Sequence, residues 1–118
     1  MKFLALLYGE ESDWANASEA EIAAVMEAHN TFGEAAGKAG VLLGGEALEL
    51  SNTATVVQVR DGERMLTDGP FAETKEQLGG YYVLQCKDLD EALTWAAQIP
   101  EAKTGKVEVR PIMEFEGS

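Results

Sequence analysis

Asp61-Gly62 constrains this chain more than any other pair of residues. A two-residue type I′ turn needs positive φ at both central positions, which Asp and Gly tolerate, so the flanking runs read as an antiparallel hairpin over residues 55–67. The turn also sets the register: Arg60 faces Glu63, Val57 faces Leu66 and Thr55 faces Asp68. Such a hairpin excludes an all-helical chain and a purely parallel sheet.

Helices flank the hairpin on both sides. Ser18 with Glu21 spells a capping box, in which the hydroxyl accepts from a free backbone N–H and the carboxylate returns to the cap. Ile22, Val25, Met26, His29, Phe32 and Ala36 then recur at helical spacing, until Gly37 and Gly40 offer a left-handed stop. Asp88 with Glu91 caps a second helix. Its stripe is Leu89, Ala92, Leu93, Ala96 and Ile99, and Pro100 helps to end it. Residues 3–8 form a short apolar run that suits a buried strand, and residues 9–16 read as a polar loop. Residues 41–50 read as a strand broken or bulged at Gly44-Gly45, and residues 81–86 as a strand of aromatic and β-branched side chains. Val107, Val109, Met113 and Phe115 read as the last strand, with Pro111 placing it at an edge or a bulge. The order is β-α-β, hairpin, β-α-β. It points to one α+β domain over residues 1–118, with a ferredoxin-like sheet carrying both helices on one face. The other face then needs a cover, and face-to-face dimerisation supplies one.

Charge narrows the partners. Nine basic residues against 21 acidic ones leave a net charge of −12, which opposes nucleic acid and anionic membranes. No apolar run is long enough to span a bilayer. The six apolar residues after Lys2 are too few for a signal-peptide core and are followed by acids, so a cytoplasmic protein is expected. The one cysteine, Cys86, allows no intrachain disulfide and sits in an apolar run, which suits a buried thiol.

Candidate chemistry is sparse. His29, the only histidine, lies on the apolar stripe of the first helix. Its side chain suits proton transfer near neutral pH, and the same position suits a half-buried ring satisfied by a carbonyl or a water. With no second ligand nearby, no metal site is expected, and no motif calls for a cofactor. Asp68 shares a hairpin face with Leu66 and Val57. There it can orient an imidazole, or fold the Asp-Gly-Pro turn onto its own backbone. Glu73, Lys75 and Glu76 can meet a polar ligand or form a solvated one-turn helix with surface pairs. Tyr8, Trp14, Tyr81 and Tyr82 can line an aromatic pocket, although the strand tyrosines also suit a core or an interface.

Asp68-Gly-Pro-Phe71-Ala-Glu73-Thr-Lys75-Glu76, followed by Leu78-Gly79-Gly80-Tyr81, resembles the signature of the DGPF-type, YCII-related proteins. Lys2-Phe3-Leu4, the helix with His29 followed by Gly40 and Leu42, and Val109-Arg110-Pro111 extend the resemblance over the whole chain. It implies a dimeric α+β barrel built from ferredoxin-like subunits. It also implies a histidine and an aspartate paired in a cleft: the histidine position matches His29, and Asp68 opens the DGPF motif. The expectation is a small-molecule acid/base site with His29 and Asp68 as its catalytic pair. Phe71, Glu73, Lys75 and Tyr8 are its ligand-binding residues. The alternative is a non-catalytic ligand-binding or regulatory module, since some members of the family resemble partners of extracytoplasmic-function sigma factors.

Overall fold

The structure, a computed structural model, describes residues 1–115. Strand β1 (Lys2–Gly9) is followed by a short helix, α1 (Glu11–Ala15), where the sequence reads as loop. The long helix α2 (Glu19–Lys38) starts at the expected capping box, with both halves of the box formed. It closes in a Schellman turn: the Val41 N–H donates to the Ala36 carbonyl and the Gly40 N–H to that of Gly37. Strand β2 (Leu42–Ala47) is shorter than expected, with its bulge between Leu42 and Gly44. A 3-10 turn at Ser51–Thr53 leads into β3 (Thr55–Arg60) and β4 (Glu63–Asp68).

The hairpin has the expected register, with Asp61 and Gly62 at φ of 52° and 79°. Strand β5 (Gln77–Gln85) begins four residues earlier than the aromatic run suggests, and Gly79-Gly80 lies inside it. Helix α3 (Leu89–Ala96) is capped by Asp88, whose carboxylate accepts from the Glu91 N–H. Pro100 then opens a further short helix, α4 (Glu101–Thr104), in place of a loop. Strand β6 (Lys106–Pro111) pairs only with β1, so Pro111 stands on an edge, one of its two expected placements; Met113 and Phe115 fall outside the strand.

The four-stranded antiparallel sheet runs β2-β5-β1-β6, the order of a ferredoxin-like α+β fold. Period-two alternation sorts its side chains. Phe3, Ala5 and Leu7 of β1 and Leu84 of β5 point at the helices and are buried with Phe32, Ala36, Ala92 and Ile99. Phe3, Leu84 and Ile99 are the largest fully enclosed side chains, each worth about 1.5–3 kcal/mol of apolar transfer. Cys86 is buried in this core, and burial followed by the charge of Glu91 holds its thiol above the ordinary value. Leu4, Leu6, Tyr81 and Val83 occupy the alternate positions and are half-buried.

The β3-β4 hairpin is a separate sheet, and no barrel is closed within the described residues. The radius of gyration is 16.3 Å, against about 13.5 Å for a compact chain of this length. No helix among the described residues is long and apolar enough to cross a membrane.

Candidate functional site

The two halves of α2 meet different floors. Its C-terminal half sets Phe32 and Ala36 against full-sized side chains. Its N-terminal half overlies the end of the sheet where β2 and β5 offer Gly45, Ala47 and Gly80. The glycines present bare backbone, with no room for a Cβ beside Tyr82 or Glu46, and a two-lobed cleft remains between this floor and the helix. One lobe, of about 200 Å³, is walled by Trp14 of α1, Val25 and Met26 of α2, and Leu48 and Leu50 beyond β2. The other, of about 210 Å³, lies over Gly45, Gly80 and Tyr82. Leu7, Met26, His29, Ala47, Gly79 and Glu101 border both. The outer rim is tied by Glu11, whose carboxylate accepts from the Ser51 N–H at 2.5 Å and from the Ser51 hydroxyl.

His29 sits where the lobes meet, its side chain 19% exposed. Its Nδ1 lies 2.7 Å from Tyr82 Oη and its Nε2 3.1 Å from Glu101 Oε2. Glu101 Oε1 is nearer to Nε2, at 2.9 Å, but only Oε2 has hydrogen-bond geometry; Oε1 is buried without a hydrogen bond among the described residues. An ionised carboxylate only accepts, so the neutral ring must carry its proton on Nε2. Nδ1 is then an acceptor and takes the Tyr82 O–H. Burial, and secondarily the charge of Glu101, push the Tyr82 phenol above its ordinary value, so it remains a donor at neutral pH.

Each partner is held by its element. Tyr82 is a helix-face position of β5, in register with Ala5 and Gly45. A Cβ on Gly45 would come within 2.6 Å of the Tyr82 ring and 2.5 Å of the Tyr81 carbonyl oxygen, so only glycine lets this ring lie where it does. Phe32 packs against the tyrosine, with ring centroids 4.9 Å apart. Glu101 is carried by α4, whose close approach to β1 depends on Gly105: a Cβ there would collide with the Tyr8 carbonyl.

Within the chain, the expected His29–Asp68 pair is not formed. Both ring nitrogens are engaged by Tyr82 and Glu101, and Asp68 ends β4 opposite Thr55 in the exposed hairpin. Tyr8 borders the first lobe. Lys75 lies outside it, 3.3 Å from Glu10, while Lys106 pairs with Glu76. Glu73 to Glu76 form no helical turn, so the one-turn helix expected there is not present. Phe71 is 88% exposed.

Sequence reading passed over Glu101 because it follows a proline that ends one helix, and nothing local says that a second begins. Tyr82 carried a signal: it shares parity with Leu84, which places its ring under the helix and its hydroxyl in need of a partner. Among the described residues, no group of three or more metal-binding side chains is assembled.

A family model of the YCII-related domain matches residues 1–116. A curated relative from Rhizobium meliloti (strain 1021), described as an uncharacterized protein, is 38% identical over 114 residues, spanning 95% of this chain and 92% of its own.

Proposed function

The chain belongs to the YCII-related domain family, and on that premise we propose that it binds a small molecule in the helix–sheet cleft and moves a proton there. The observation that carries this reading is the Glu101–His29–Tyr82 chain of hydrogen bonds at the junction of the two lobes. In the proposed step the ligand gives a proton to Tyr82 Oη as the phenol passes its own to His29 Nδ1. The product is an imidazolium, with its Nε2–H on the Glu101 carboxylate. Because the phenol resists ionisation, the two transfers are coupled rather than sequential. The reverse sequence returns the proton to a different atom of the ligand. His29 keeps the acid/base role expected of it, and Glu101 takes within the chain the orienting role expected of Asp68.

A single histidine makes the test direct. In ¹⁵N-labelled protein the neutral His29 ring should show the Nε2–H tautomer. Tyr82→Phe should move the Nδ1 resonance and Glu101→Gln the Nε2 resonance. If both variants leave the ring nitrogens at their wild-type positions, the relay is wrong.

The same reading takes the protein as a homodimer. Val57, Val59 and Leu66 share one face of an isolated hairpin and are each more than half exposed. A two-stranded hairpin is marginal without something packed on it. A second copy would cover it, with Asp68 and Phe71 close to the contact. Sedimentation should give twice the chain mass, and Val57→Glu should return the monomer. A regulatory protein as the occupant instead predicts a monomer in isolation, with hairpin amides protected from exchange only when that protein is added.

A further inference from the structure

The charges around the cleft are one-sided. Glu11, Glu49 and Glu101 border the first lobe, and neither lobe has a lysine or an arginine in its lining. His29 is the only lining side chain there that can carry positive charge. Beyond Tyr8 an open groove does hold two lysines, but Lys75 is paired with Glu10 and Lys106 with Glu76. An anion entering the cleft would lose hydration and meet carboxylates, whereas a cation would be drawn in. The walls between these charges are apolar, with Trp14, Met26 and Leu48 among them. One lobe alone exceeds the roughly 150 Å³ of a cavity known to accept benzene. Glu101 borders both lobes with its side chain 26% exposed, so its carboxylate charge lies at their junction.

We propose that the cleft takes a small apolar molecule bearing a cationic amine, its ammonium directed to Glu101 and its hydrocarbon body against Trp14, Met26 and Leu48. This inference rests on the cleft being the ligand site of the proposed function, and names the chemical class that site selects.

Three matched probes test it: 2-phenylethylammonium, 2-phenylethanol and phenylacetate, at about pH 8, where both ionic probes are charged. Binding is read from the fluorescence of Trp14, one of two tryptophans, with Trp14→Phe confirming the source of the signal. The ammonium should bind at least about tenfold more tightly than the carboxylate, with the alcohol between them. Glu101→Gln should weaken the ammonium by about tenfold and leave the alcohol unchanged. As a second variant, Met26→Lys puts a cation on the wall at a residue already 53% exposed, and should shift the preference toward phenylacetate. Phenylacetate binding as tightly as the ammonium would overturn the inference. So would an ammonium affinity indifferent to both variants, or no response of Trp14 to any probe. The His29 ring-nitrogen pattern is read without ligand, so a failed selectivity and a failed relay are told apart.

Discussion

Helix α2 is one amphipathic stripe with two fates. At its C-terminal half Phe32 is 3% exposed and Ala36 fully buried, while at its N-terminal half Met26 is 53% exposed and His29 partly open. The stripe is equally regular in both halves. The difference lies underneath: Phe3, Leu84 and the Tyr82 ring meet one half, and below the other the floor is Ala47 and the bare backbone of Gly45 and Gly80, under an open cleft. A core and an open cleft can therefore be written with the same helical periodicity, and the opposing surface decides which one forms.

The contrast can be broken from either end. Phe32→Ala should cost about 3–5 kcal/mol in a denaturant titration, because it removes an enclosed ring that also braces Tyr82. Gly45→Ala acts through the floor. Its methyl has no room beside the Tyr82 ring, so a loss of about 1–3 kcal/mol is expected, together with a shift of the His29 Nδ1 resonance. Ser18→Ala removes a cap far from both floors and should cost about 1 kcal/mol, with the ring nitrogens unmoved. Met26→Ala, on the open half, should change stability by less than about 0.5 kcal/mol while altering probe binding.

Titration sharpens the same comparison. The Tyr82 phenol is held above its ordinary value in the folded chain, so the folded state retains this proton longer than the unfolded state does. The corresponding stability is complete below the unfolded value of about 10 and is lost as pH rises through the folded value. Tyr82→Phe should flatten that alkaline decline, as read from melting temperature against pH. Glu21 behaves in the opposite sense. Hydrogen bonds from the Ser18 backbone and side chain hold its carboxyl below the usual value, so its contribution is present above that value and fades as pH falls.

Local chemistry made much of the fold legible. The Ser18–Glu21 box, the stop at Gly40 and the Asp61-Gly62 turn each satisfy a nearby backbone requirement, and each stands where the residues place it. The hairpin register followed from its turn, and Pro111 allowed β6 an edge or a bulge, of which the edge is found. Family membership was legible in the Asp68–Glu76 motif and is borne out over residues 1–116. His29 could be singled out as the one imidazole on the stripe, but its partners could not. Tyr82 lies 53 residues away and Glu101 72, and the sheet brings them together only after β5 and α4 have docked. Asp68 was the partner that the family resemblance implied, yet its hairpin forms a sheet of its own. Caps, turns and alternation act over a few residues, and local sequence therefore decides them. A hydrogen-bonded chain of side chains and an open cleft are made by distant segments meeting, and only the packed chain decides those.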